Sequence, residues 1–309
     1  MNLQQITDQL LMIRPANFGF NSETASSNAF QTDSKTLTRA EVSQKALEEF
    51  DNFVSLLRSN GIHVTVIEDQ AEPVKSDAIF PNNWISFHKN GYIITYPMQS
   101  ENRRLERQEH IIYQLSEEFE VQAVFPLETF EDYDQYLEGT GSMILDRVHK
   151  IVYACLSPRT NETVLDKFCK LTGYEKVVFK AIDGKGKDIY HTNVMMGLGE
   201  DFVVICLETI KHPDHRKAIK EAFAKTGKTI IRISLDQMMA YAGNMLQLRN
   251  KDGERLLVMS SQAYNSLYPE QIQFIEQHTQ ILHSPINVIE EVGGGGVRCM
   301  MAEVFLKKK

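Results

Sequence analysis

Cys299 closes the run Gly293-Gly-Gly-Gly-Val-Arg-Cys299, where backbone N–H groups and Arg298 can all bear on one thiol. Such a setting lowers a thiol pKa and makes a nucleophile, so a depressed pKa is the expectation for Cys299. His191 opens His191-Thr-Asn193, and of the nine histidines it alone stands at the head of a hairpin-like segment, which makes it the candidate acid and base. Glu138, in Leu137-Glu-Gly-Thr-Gly141, is the candidate carboxylate. Asn83, Asn193 and Asn244 add three carboxamides. Each has a plainer explanation when taken singly: an inert core thiol, a histidine bonded to backbone, an exposed turn carboxylate. Their common place in a repeating pattern is what joins them into one nucleophilic Cys/His site.

That pattern is a hairpin, an apolar stretch that turns through Gly, Asn or Asp and returns as a second apolar stretch. Its first strands begin at residues 83, 142, 193, 244 and 297, a period of roughly 50 to 60 residues. Helix-like stretches follow at 40–59, 101–119, 161–171, 215–225 and 269–277. Short β-type runs come after them at 63–67, 120–124, 176–179, 229–233 and 286–289. The unit is therefore strand-strand-helix-strand, and five units closing into a ring place the starts of the first strands at one end of the axis. The last hairpin is truncated, and the run 10–15 is expected to supply its missing strand and leave no open edge.

Composition narrows the class. The 309 residues carry 33 Lys and Arg against 41 Asp and Glu, a net charge of −8, which gives no global bias toward nucleic acid or anionic membrane. No apolar run approaches the ~20 residues of a membrane helix, and the N-terminus has no basic, apolar leader pattern. Four cysteines without a CxxC pair read as reduced thiols in a cytoplasm. His212-Pro-Asp-His215 has ligand-like spacing but reads as a helix start, and Asp183-Gly-Lys-Gly-Lys-Asp188 lacks the spacing of a phosphate loop, so no metal and no cofactor are expected. The Ser-, Thr- and Asn-rich segment 20–40 is either a mobile lid or a plain surface excursion.

Phe80-Pro-Asn-Asn-Trp84, Glu138-Gly-Thr-Gly141, His191-Thr-Asn193 and the Gly-rich Cys299 segment together resemble the amidinotransferase and arginine-deiminase superfamily of guanidine-modifying enzymes. Within it they are most similar to the citrulline-utilisation hydrolases, over essentially the whole chain from Arg14-Pro15 onward. The resemblance implies a five-bladed α/β propeller, the pentein fold, as one domain over residues 1–309. It implies that Cys299 attacks the central carbon of a guanidino or ureido group, that His191 protonates the departing amine and later activates water, and that Glu138 grips two N–H groups of the planar head. Arg103, in Arg103-Arg-Leu-Glu106, would hold the substrate carboxylate, while Asn83, Asn193 and Asn244 would bind substrate.

Relatives typically carry Asp where this chain has Asn83 and again where it has Asn193. A buried cation needs a carboxylate, and removing one partner of a buried pair costs about 3–5 kcal/mol, a factor of a hundred or more. A carboxamide suits a neutral ureido group, which has both N–H donors and a C=O. The expectation is thus a hydrolase of a small amino-acid substrate, citrulline before arginine. An arginine deiminase, a dimethylarginine-type hydrolase, an amidinotransferase and a non-catalytic binding member of the fold remain alternatives.

Overall fold

The turns form where the sequence puts residues that accept them. Gly91 closes the first hairpin with φ at 81°, and Gly253 closes the fourth with φ at 85°, backbone angles that side chains with a Cβ resist. In the computed structural model of the chain, which describes residues 4–309, the hairpins build five three-stranded sheets. The second to fifth sheets are Ile85–Phe87 with Tyr92–Thr95 and Ala123–Pro126, Met143–Asp146 with Ile151–Cys155 and Glu175–Phe179, Met196–Leu198 with Phe202–Ile205 and Thr229–Arg232, and Leu246–Arg249 with Arg255–Ser260 and Gln280–Ser284. In each, the hairpin is antiparallel and the third strand lies parallel to the second. A helix makes the parallel return possible, as it must.

The first sheet closes the ring as expected: Ala302–Glu303 pairs antiparallel with Gln9–Arg14, which pairs parallel with His63–Glu68. Both chain ends are thereby locked into one blade. First strands of neighbouring blades touch, Ala302–Glu303 against Ile85–Phe87 and Met196–Leu198 against both Met143–Asp146 and Leu246–Arg249. The architecture is a five-bladed α/β propeller. The long helix Arg39–Ser59 starts on a reciprocal Thr38/Glu41 cap and buries Val42, Ala46, Phe50, Phe53, Val54 and Leu57, a stripe of helical period that covers the first sheet. Among the described residues no helix is long and apolar enough to cross a membrane, and all four cysteines are free.

Three expectations shift. The stretch 101–119 is two helices, Glu101–Arg104 and Glu109–Glu118, because Arg103, Arg104 and Arg107 turn inward at the break to meet Glu106, Met98 and Tyr96 with Glu131. The strand expected at 120–124 is Ala123–Pro126. The apolar run 286–289 is not a strand, since Gln280–Ser284 takes that place. Ile286, Ile289 and Val292 instead bury in a π-turn, Ile289–Gly293, against the helix Arg39–Ser59, whose Glu49 accepts the Val288 and Ile289 N–H groups.

Glu290 in that turn is 1% exposed, and burial pushes its carboxyl up to about 8. The folded state therefore holds a proton that the unfolded chain releases near its ordinary value of 4.5. Stability from this group is full below the unfolded pKa and is lost as pH rises through about 8. Thermal unfolding followed by circular dichroism should show Tm falling between pH 6 and pH 8.5, with Glu290→Gln removing much of that fall. Parallel curves for the two proteins would contradict a neutral buried Glu290.

Candidate active site

The site residues were expected on the first strands, but four of them ride on short helical turns just before those strands. Asn83 ends the turn Pro81–Asn83, Asn193 lies in Thr192–Met195, Cys299 in Val297–Met300, and Glu138 caps Gly139–Ser142. A four-residue turn re-aims a side chain from the sheet face to the ring axis. The turns can approach one another because glycines line the contacts. A Cβ on Gly141 would lie 2.4 Å from Asn83 Nδ2 and 2.9 Å from His191 Nδ1, and one on Gly296 would lie 2.6 Å from Asn244 Oδ1. Only a backbone without side chains threads between these groups.

The thiol is held by two amides. Asn193 Nδ2 and Asn244 Nδ2 both donate to Cys299 Sγ at 3.3 Å. Asn244 also donates to the Asn193 carbonyl and accepts the Arg298 N–H, so no donor of its amide is left for a ligand. In the structure it ties the Cys299 thiol to the neighbouring turn. The expected depressed thiol pKa is corrected, because burial pushes the Cys299 thiol up and the Asn244 amide, Arg298 and the Asn193 amide offset only part of this.

His191 is 3% exposed. Its Nε2–H donates to Glu138 Oε2 at 2.7 Å, which leaves Nδ1 as the basic nitrogen. Burial holds the imidazole below its usual pKa, and the Glu138 carboxylate only partly restores it. Glu138 is fully buried, which alone would raise its pKa, but Arg159, His191 and Arg103 outweigh burial and keep it ionised. Its Oε1 accepts the Gln99 N–H at 3.0 Å and its Oε2 faces Arg159 Nη1 at 3.5 Å as well as His191. Each oxygen of Glu138 thus has a protein partner, and Oε2 holds the His191 ring by its Nε2–H.

Arg103 reaches the same pocket, but Glu106 takes its Nε and Nη2 at 2.8 and 3.0 Å, and Nη1 donates to Asn83 Oδ1 at 3.0 Å. That bond fixes the Asn83 amide with Nδ2 turned toward Gly141. Asn83 Nδ2 and Asn193 Oδ1 are buried without any partner. Two further residues escaped the sequence reading. Arg159 Nε–H is buried and unpartnered, its Nη2 donates to the Thr24 carbonyl and Ser27 Oγ, and its guanidinium lies 4.9 Å from the Tyr190 ring centre. Asp77 is fully buried with Oδ1 unpartnered, although Asn21 and Arg103 stand on its other side. Both follow or precede Pro in short polar-apolar runs, Ser157-Pro-Arg159 and Asp77-Ala-Ile-Phe-Pro81, a signal visible but weak.

Asp77, Asn83, Arg103, Arg159, His191 and Cys299 line a tight pocket of about 20 Å³ together with Thr24, Asn28 and Gly293 to Gly295. The segment 20–40 is thus part of the site, tied down by Asn28 Nδ2 on the Gly293 and Gly294 carbonyls.

The N-terminal domain of the cyanobacterial arginine dihydrolase ArgZ, solved covalently bound to a reaction intermediate, superposes with a TM-score of 0.74 at 14% identity, over 96% of this chain and 97% of that one. Against full-length ArgZ the chain spans 40% of the length. A dimethylarginine dimethylaminohydrolase adduct with S-methyl-L-thiocitrulline gives a TM-score of 0.65 at 16% identity, over 96% and 99% of the two chains. No curated protein matches in sequence. The model of the eukaryotic N,N-dimethylarginine dimethylhydrolases matches residues 14–306, nearly the whole chain. The chain accordingly belongs to the N,N-dimethylarginine dimethylhydrolase family of the amidinotransferase superfamily.

Proposed function

We propose that this enzyme hydrolyses citrulline. The observation that carries the reading is a pair of buried, unpartnered amide atoms, a donor on Asn83, which lines the pocket, and an acceptor on Asn193, whose Nδ2 holds the Cys299 thiol. A ureido group offers the complement, a C=O oxygen and N–H hydrogens, whereas a guanidinium has no acceptor for Asn83 Nδ2 and calls for a carboxylate. Arg159, with Arg103 behind it, would hold the substrate carboxylate, and the free Oδ1 of Asp77 would take the ammonium.

The protons at rest dictate the order of events. The thiol and imidazole are both neutral, so His191 Nδ1 takes the Cys299 proton as sulfur attacks the ureido carbon. The C=O electrons move onto oxygen, which Asn83 Nδ2 stabilises. Collapse of the adduct breaks the carbon–Nδ bond, His191 returns the proton to that nitrogen, and ornithine leaves a carbamoyl thioester on Cys299. Water, deprotonated by the same imidazole, releases carbamate, which falls to ammonia and carbon dioxide. The single imidazole serves as base, acid and base again.

Amino-acid analysis after incubation with L-citrulline, L-arginine and dimethylarginine separately is the test. Ornithine from citrulline at the highest kcat/KM is the expected result. Faster consumption of arginine or of its methylated form, which the family's own name favours, would overturn the citrulline reading. Asn83→Asp should lower citrulline kcat/KM by about 10²–10³, the usual worth of one oxyanion donor, and raise activity on arginine relative to citrulline. Unchanged citrulline turnover in that variant would remove Asn83 from the head-group site.

A further inference from the structure

The opposite end of the same strands holds a second cavity. His88 follows the strand Ile85–Phe87 that Asn83 precedes, and Arg147 follows the strand Met143–Asp146 that Glu138 precedes, so the two ends are separated by the depth of the blades. Between these hairpin turns lies an open cavity of about 90 Å³, lined by His88, Lys89, Arg147, Lys150, Tyr174 and Phe305 among others, with no carboxylate among its lining residues. In a chain of net charge −8 this is an unusual concentration of one sign.

The positive charge is also under-neutralised. Arg147 is 5% exposed, and its carboxylate partner is Glu303 at 3.6 Å, which Arg298 Nη2 holds more closely at 3.0 Å. One carboxylate therefore serves two guanidinium groups. Lys150 Nζ has the Thr172 carbonyl at 3.3 Å and lies 4.6 Å from the Tyr174 ring centre, and neither supplies negative charge. Buried His88 bonds to Ser86 Oγ and stays neutral, because burial, Arg147 and Lys150 all oppose its protonation. Burial and Arg147 likewise hold Lys150 below its ordinary value. A dianion in the cavity would satisfy the guanidinium fork and the ammonium together, which a chloride or a single carboxylate cannot do as well.

We propose that this cavity is a second ligand site, distinct from the catalytic pocket, that binds a phosphate group, either free or carried by a small metabolite. Arg147 and Lys150 would hold its oxygens, and the Tyr174 and Phe305 rings give an ester substituent an apolar wall. The site lies outside the reaction proposed above, so its test does not depend on which substrate that reaction uses.

Isothermal titration with inorganic phosphate at constant ionic strength, against a chloride titration, is the experiment. The expected result is one saturable phosphate site, with a Kd on the order of 1 mM, that weakens tenfold or more in Lys150→Met. It should be unchanged in Lys251→Met, an exposed lysine outside this cavity. Lys150 sits on a partly exposed turn, and an unaltered Tm of Lys150→Met confirms that the fold survives. The same titrations with phenyl phosphate separate the two sources: tighter binding than inorganic phosphate assigns the cavity to an ester, weaker binding to the free anion. Heat reproduced by chloride, or phosphate affinity equal in wild type and Lys150→Met, would overturn the proposal.

Discussion

Cys299→Ala is expected to lower kcat by on the order of 10⁶ while leaving substrate affinity nearly intact, because the variant removes the only thiol in the pocket and none of the groups that hold the zwitterion. Titration calorimetry and single-turnover assays measure the two quantities separately. Loss of binding in parallel with kcat would mean that the thiol supports the pocket wall rather than the chemistry. The wild-type thiol carries a second, sharper expectation. Burial pushes Cys155 up to about 12 and both Cys169 and Cys206 up to about 11, and it raises Cys299 as well. Iodoacetamide should therefore inactivate the enzyme at a rate that climbs with pH past the ordinary thiol value. A plateau near neutrality would mean a preformed thiolate–imidazolium pair, and the proton order proposed for catalysis would be wrong.

Much of this site was legible because its residues stand in register. The period of the hairpins fixed Asn83, His191, Asn244 and Cys299 as equivalents, and the closure of the ring by the strand Gln9–Arg14 followed from the need to leave no open edge. What the sequence hid is mostly tertiary. The run 286–289 has the composition of a strand, and only its burial against the helix Arg39–Ser59 makes it a turn. The helical turns that carry Asn193 and Cys299 span four residues, too few to show a period. Asp77 and Arg159 are single charges in a chain that is 24% charged, and nothing local marks them as buried. The partners of Glu138 and Asn244 were hidden as well, because the groups that bond them come from segments distant in sequence.

Glu138→Gln is expected to reduce kcat/KM by about 10³–10⁴, the cost found where a carboxylate that orients a catalytic histidine becomes an amide. The substitution keeps the shape and changes which atom of His191 carries a proton. With Glu138 ionised, Nε2–H is the donor and Nδ1 is the basic nitrogen, which the proposed mechanism assigns to the thiol proton. A glutamine that still accepts the Gln99 N–H through its oxygen must turn its NH₂ toward His191, and Nε2 then becomes the acceptor. The proton moves to Nδ1, and the base that Cys299 needs is gone. Arg159 loses its one ion-pair partner among the described residues in the same step, so KM should rise less than kcat falls only if Arg159 is otherwise held, as its bonds to Thr24 and Ser27 imply. Nitrogen-15 spectra of the histidine side chains settle the tautomer directly. Nε2–H in the wild type and Nδ1–H in the variant, together with the loss of turnover, are the expected pair of results. A variant that keeps the wild-type tautomer yet still loses activity would instead place Glu138 on the substrate, the role its motif first suggested.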